Sequence, residues 1–194
     1  MKNLPRIFMI LAALSLTTLF VFPMWRITLI APQYPTGITM YIWINKLGGD
    51  SPGTLQNVNI LNHYVGMKKI EPDSIPELKY FPWVVGGLIA LALVAAAVNR
   101  RWVFLSWAVI FVLLAIAGIY DFYLWEYDYG HSLDATAPIK IPGASFQPPL
   151  LGTKQIINFT AQSYPHTSGW LAGLSVIFAG LAWWLKSKIS NHEI

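Results

Sequence analysis

The stretch from Phe81 to Tyr120 reads FPWVVGGLIALALVAAAVNRRWVFLSWAVIFVLLAIAGIY and contains two long apolar runs. Only the three residues Asn-Arg-Arg, at positions 99–101, separate the first run from the second. A bilayer core needs about 20 consecutive apolar residues, and the backbone inside it must satisfy its own hydrogen bonds. The stretch therefore predicts two transmembrane helices, at about 81–98 and 102–120, joined by a tight basic turn.

Two further apolar runs flank this hairpin, at about 7–25 and 169–185. The first follows Lys2 and Arg6, as a signal peptide would, but it is long and no small-residue cleavage site follows it, so we expect an anchor. Only 11% of the 194 residues are charged, whereas soluble domains carry about 25%. The sequence therefore predicts an all-α membrane protein, a single membrane domain over 1–194 with four transmembrane helices.

The distribution of basic residues indicates the orientation of these helices. With the N-terminus in the cytoplasm, Lys and Arg are several-fold denser in the short cytoplasmic segments than in the two long loops. We therefore expect a bacterial inner-membrane protein with both termini in the cytoplasm and loops at about 26–80 and 121–168 in the periplasm. Insertion also explains the net charge of +4, so the sequence predicts no nucleic-acid partner.

The two long loops are rich in Pro, Gly and aromatic residues, and we expect them to fold together as a small mixed cap. In the first loop, β-branched and aromatic residues predict a strand at about 37–47, and apolar spacing predicts a helix within 54–69. On that helix, Asn59, His63 and Met67 would share one face. In the second loop, prolines interrupt any long helix, and a short interfacial helix is predicted at about 154–161.

The absence of cysteine limits the metal chemistry that the sequence allows. Thiolate zinc sites, iron–sulfur clusters and covalently attached haem are excluded. The soft donors on the predicted outer face are His63, Met67 and His131, with His166 or Met40 as further candidates. Imidazole and thioether groups without a thiolate favour copper. In the alternative interpretation, the histidines hydrogen-bond to backbone carbonyl groups and Met67 fills a gap in the core.

Other kinds of chemistry have less support in the sequence. No histidine lies in the middle of a predicted span, where a haem or a proton pathway would need an ionisable group, and His192 lies in the cytoplasmic tail. Because nucleotide-binding and hydrolase motifs are also missing, we predict that the protein is not an enzyme and has no catalytic residues. Carboxylates such as Asp121, Glu126 and Asp128 are predicted to form a solvated rim.

Two stretches of the predicted outer face resemble a known family. LQNVNILNHYVGMKKI (Leu55–Ile70) and YDYGHSLDATAPIKIPGASFQPPLLGTKQIINF (Tyr127–Phe159) are similar to small membrane proteins encoded beside the maturation proteins of nitrous-oxide reductase in denitrifying bacteria. The resemblance implies an accessory role in holding or delivering copper for this periplasmic copper enzyme, with the enzyme or its maturation proteins as partners. The resemblance also implies that His63, Met67 and His131 are candidate copper ligands.

One departure from the family pattern and two alternative functions stay open. Ala144 stands where the family often has methionine, so a donor at that position would be lost here. A structural or interaction subunit would use the apolar loops to dock a partner complex and would bind no small ligand. A quinol-interacting respiratory subunit would need a polar pocket near the outer interface, such as one formed by Tyr120, Tyr123 and Asp121.

Overall fold

A computed structural model describes residues 3–140, 143 and 145–191 of the chain. These residues form a bundle of four long or apolar helices and, at one end of it, a β-sheet with one further helix. The elements in chain order are α1 Leu4–Thr17, β1 Trp25–Ala31, β2 Tyr34–Ile42, β3 Leu47–Gly49, α2 Thr54–Val65, α3 Glu77–Val98, α4 Arg101–His131, β4 Gly152–Ile156, β5 Phe159–Pro165 and α5 Thr167–Asn191.

Three of the helices in the described part of the chain, α3, α4 and α5, are long and apolar enough to cross a membrane. They contain the runs at 81–98, 102–120 and 169–185. Helix α4 has 31 residues and is about 46 Å long at 1.5 Å per residue, whereas a hydrocarbon core is about 30 Å thick. Its C-terminal part, residues 121–131, therefore extends beyond the apolar segment and carries the acidic side chains of this helix.

The first apolar run forms a shorter helix than the sequence predicts. Helix α1 ends at Thr17, a short 3-10 turn continues to Phe20, and Trp25 already begins β1. Helix α1 packs against α3 and α5, while α4 packs against the same two helices. The core of this bundle is rich in fully buried alanines, which let the helix backbones approach closely.

The connections between the helices form a five-stranded antiparallel sheet with the strand order β3-β2-β1-β5-β4. The prediction of an all-α protein is therefore wrong. The physical reason lies in the alternation that begins at Trp25, where Ile27 and Leu29 face one side of the sheet and Arg26 and Thr28 the other. Of the four predicted transmembrane helices, three are long and apolar enough to cross a membrane in the described part of the chain, and α1 is shorter.

The individual elements predicted for the loops have different outcomes. The strand predicted at 37–47 overlaps the observed strand β2, which begins earlier, at Tyr34, and ends at Ile42. The helix predicted within 54–69 is confirmed as α2. The helix predicted at 154–161 is wrong, because these residues form the hairpin of β4 and β5 around a turn at Ile157 and Asn158.

The two central strands connect the sheet directly to two neighbouring helices. Strands β1 and β5 pair from Trp25 opposite Pro165. Helix α1 precedes β1 in the chain, and α5 follows β5 after one residue. At this junction the backbone N–H of His166 donates to the carbonyl of Met24 at 2.9 Å, and Ser168 Oγ donates to the carbonyl of Phe22 at 2.9 Å. The N-terminus of α1 and the C-terminus of α5 therefore lie together at the end of the bundle away from the sheet.

One face of the sheet is covered by α2 and by residues 121–131 of α4. The strands, α2 and residues 121–131 are called the cap below. Its core joins Ile27 and Met40 on the sheet to Val58 of α2 and Tyr129 of α4, all of which are buried. The cap is therefore built from both long connections, which are far apart in the sequence.

Candidate functional site

The C-terminus of α2 positions His63 and Met67. Gly66 ends the helix in the left-handed conformation, with φ +80°, and the N–H of Met67 donates back to the carbonyl of Asn62 at 2.9 Å. Met67 therefore lies beyond the helix, whereas the sequence places it on the face of His63. Both side chains nevertheless line one groove of about 920 Å³, together with Asn59.

The segment after α4 meets this turn through backbone hydrogen bonds. The N–H of Asp134 donates to the carbonyl of Gly66 at 2.8 Å, and the N–H of Ile139 donates to the carbonyl of Tyr64 at 3.0 Å. Lys68 Nζ also lies 2.6 Å from a carboxylate oxygen of Asp128. The two stretches that carry the family resemblance thus contact each other in the cap.

His131 is the last residue of α4, and its ring is held by the helix itself. Its Nδ1 lies 3.0 Å from the carbonyl of Tyr127, and its ring stacks on that of Tyr127 with 4.0 Å between the centroids. When Nδ1 donates this bond, Nε2 keeps its lone pair and is the atom able to bind a metal. His131 is exposed at the surface, but it does not line the groove of His63 and Met67.

The other candidate ligands lie elsewhere. His166 follows β5 and packs edge-on against Tyr41 with 5.2 Å between the ring centroids. Met40 is buried in the sheet face that α2 covers. Ala144 and His192 lie outside the described residues. Over residues 3–140, 143 and 145–191, no three His, Asp or Glu side chains are arranged to hold a metal ion.

The carboxylates nearest this region are engaged by neighbouring groups. Hydrogen bonds from Lys68 and Ser132 lower the pKa of Asp128. Hydrogen bonds from Thr136 lower the pKa of Asp134, and the nearby imidazole of His63 adds a smaller effect in the same direction.

Glu126 forms a second candidate site that the sequence interpretation missed. Its side chain has no exposed surface, so the prediction of a solvated rim is wrong at this position. Neither carboxyl oxygen has a hydrogen-bond partner within the described part of the chain. Burial raises the pKa of Glu126 to about 8, which leaves the carboxyl group mostly neutral at pH 7.

Glu126 lines a cavity of about 590 Å³ between the sheet, α2 and α4. Apolar side chains dominate its walls. They come from the sheet (Ile27, Leu29, Met40), from α2 (Val58, Leu61, Val65), from α4 (Trp125) and from the later segments (Phe146, Pro148, Phe159). The polar residues of its lining are Glu126, three tyrosines and the amide residues Gln33, Asn62 and Asn158. A largely apolar space with a few polar groups has the composition of small-molecule pockets in proteins.

A helical pattern in the sequence could have revealed that Glu126 faces the core. Phe122, Trp125, Glu126 and Tyr129 follow the spacing i, i+3, i+4, i+7, and the three aromatic residues contact the core of the cap. The high polarity of residues 121–134 concealed this stripe.

Comparison with models of known protein families gives no match, and comparison with curated proteins gives none either. The family resemblance of the two stretches on the cap therefore stays a prediction.

Proposed function

We propose that the protein is a membrane-anchored accessory protein without enzymatic activity that binds a cuprous ion through His63, Met67 and His131. The observation that carries this proposal is the hydrogen bond between Asp134 and Gly66, at 2.8 Å. It links the segment that follows His131 to the turn between His63 and Met67. This contact between two distant segments supports the proposal, because His131 is 64 or more residues further along the sequence than His63 and Met67.

The chemistry of these donors suits copper that is held and passed on. Two imidazoles and a thioether are ligands that Cu⁺ accepts without a thiolate. The bond from His131 Nδ1 to the Tyr127 carbonyl is the kind of second contact that orients a metal-binding imidazole. His63 and His131 are both exposed, which gives a partner protein direct access to the ion.

The same proposal assigns a location and partners. The basic turn at 99–101, the N-terminus of α1 and the C-terminus of α5 lie at the end of the bundle away from the cap. Basic residues are concentrated in these segments, as is usual on the cytoplasmic side of a membrane. We infer that the membrane is a bacterial inner membrane and that the cap is in the periplasm. The partners would be a copper enzyme of the nitrous-oxide reductase type or its maturation proteins.

Copper binding is tested on the purified full chain under reducing conditions. Cu⁺ is titrated against a competing chelator such as bicinchoninate, for the wild type and for the variants His63→Ala, Met67→Leu and His131→Ala. His166→Ala is the matched control, because it removes an imidazole that packs against Tyr41 instead of lining the groove.

We expect the wild type and His166→Ala to bind Cu⁺ with equal affinity, and each ligand variant to bind at least tenfold more weakly. Equal copper content in the wild type, His63→Ala and His131→Ala would refute the ligand assignment. A wild type that takes up no Cu⁺ would refute copper handling altogether and would favour an interaction subunit.

A further inference from the structure

The Glu126 cavity combines two features that folding alone does not explain. A carboxyl group without exposed surface normally has hydrogen-bond partners, yet both oxygens of Glu126 lack one among the described residues. The same side chain lines an apolar space of about 590 Å³, which is within the size range of small-molecule pockets. An unpaired polar group at the wall of such a space marks the point where a ligand would make its hydrogen bond.

The lining of the cavity defines the chemistry of its ligand. Of the described residues, no Lys, Arg, His or Asp lines it, and the ionisable lining residues besides Glu126 are Tyr34, Tyr64 and Tyr129. A charged ligand would therefore lose its hydration without a countercharge other than Glu126. Apolar walls instead favour an apolar body of the ligand.

The cavity also has a mouth through which a ligand can enter. Ile60 and Tyr64 on α2 line the cavity and are about half exposed, at 45% and 50%. Ile139 and Ile157 line it from the opposite segments with exposures of 48% and 51%. The wall is thus open at this rim, while Glu126 lies at the buried side.

We propose that this cavity binds an uncharged amphiphile, an apolar molecule with one hydroxyl group, and that the hydroxyl group hydrogen-bonds to the carboxyl group of Glu126. This binding site is distinct from the groove of His63: neither His63 nor His131 lines the cavity, although Met67 lines both.

The protonation state of Glu126 agrees with such a ligand. Burial holds the pKa of Glu126 at about 8, so at pH 7 its carboxyl group can both donate to and accept from a hydroxyl group. A glutamine at this position keeps both abilities, whereas a leucine keeps the approximate volume and removes them. The two substitutions therefore separate hydrogen bonding from packing.

The test measures binding of three probes to the full chain in lipid nanodiscs by isothermal titration calorimetry, with empty nanodiscs subtracted. The probes are para-butylphenol, butylbenzene and para-butylbenzylammonium, which share an apolar body and differ in the head group. The proteins are the wild type, Glu126→Gln, Glu126→Leu and the control Glu71→Gln, which changes an exposed carboxylate outside the cavity.

We expect the wild type to bind para-butylphenol about tenfold more tightly than butylbenzene, as one hydrogen bond to a buried group would give. Glu126→Gln and Glu71→Gln should retain this preference, and Glu126→Leu should lose it while still binding butylbenzene. Equal affinities of the wild type for the two neutral probes would overturn the proposal, and so would tighter binding of the ammonium probe. The wild-type comparison decides the matter even where Glu126→Leu fails to fold.

The same titration distinguishes a lipid alcohol from a water-soluble ligand. Nanodiscs that contain diacylglycerol present a hydroxyl group from within the bilayer. Loss of para-butylphenol binding in these nanodiscs supports a membrane-derived alcohol as the occupant, and unchanged binding supports a soluble phenol or alcohol.

Discussion

Replacing Glu126 by glutamine should make the protein more stable at neutral and alkaline pH. Glutamine has nearly the same shape as a protonated glutamate but carries no ionisable proton. In the wild type, burial raises the pKa of Glu126 from 4.5 in the unfolded chain to about 8 in the folded protein. The folded state therefore binds this proton more strongly than the unfolded state does.

The sign and size of the effect follow from this difference. Below pH 4.5 the carboxyl group is neutral in both states and the pH has no effect through it. Between pH 4.5 and 8 the unfolded chain gives up the proton and the folded protein keeps it, so each pH unit removes about 1.4 kcal/mol of stability. The loss is about 3 kcal/mol at pH 7 and levels off near 5 kcal/mol above pH 8. The Glu126→Gln variant does not lose this stability, because glutamine does not ionise.

Thermal unfolding of the full chain in nanodiscs between pH 5 and 9 measures this difference. For a chain of this size 1 kcal/mol corresponds to about 2–4 °C, so the Tm of Glu126→Gln should gain about 3–6 °C on the wild type per pH unit up to pH 8. Asp128→Asn is the control, because Asp128 is half exposed and its pKa is lowered by Lys68, so it stays ionised over this range. Parallel Tm curves for the wild type and Glu126→Gln would refute a neutral, buried carboxyl group.

Two further predictions concern the junction and the topology. Gly169→Ala should destabilise the protein by about 1–3 kcal/mol, since its Cβ would overlap the carbonyl oxygen of Met24, whereas Gly173→Ala, with open space around it, should leave the Tm unchanged or raise it. The chain has no cysteine, so Gln56→Cys on the cap should react with a membrane-impermeant maleimide in intact cells and Arg100→Cys only after lysis; the reverse pattern would show that the cap is on the cytoplasmic side.

The membrane helices could be predicted because their signal needs no tertiary information. A run without charge in a bilayer has one low-energy backbone conformation, so the stretch from Phe81 to Tyr120 predicts helices α3 and α4 and the basic turn between them. The end of α4 could not be predicted in this way. After Tyr120 the sequence contains charged and polar residues, and the helix continues to His131 because its aromatic side chains pack on the sheet.

The β4–β5 hairpin could not be predicted because its turn lacks the usual sequence signals. The β4–β5 hairpin turns at Ile157, which adopts φ +55°, a conformation that a β-branched residue rarely takes. An Asn-Gly pair at that place would have predicted the hairpin. The alternation after Trp25 is visible in the sequence, but the apolar run before it extends the predicted span over the start of β1.

The proposed site could be predicted in part. Residue type and the resemblance of two stretches select His63, Met67 and His131 as candidate donors, but the sequence does not show that Gly66 contacts Asp134. The burial of Glu126 depends on a further long-range contact. The segment around Phe146 crosses α4, where the N–H of Phe146 donates to the carbonyl of Gly130 at 3.0 Å, and it helps to enclose the cavity.

Met67 lines both the groove of His63 and the cavity of Glu126, so the two proposed sites share one wall. A change at Met67 would therefore disturb both and could not tell them apart. His63 lines only the groove and Glu126 only the cavity. Loss of Cu⁺ binding in His63→Ala with normal para-butylphenol binding would show two independent sites, because a general failure of the cap to fold would abolish both.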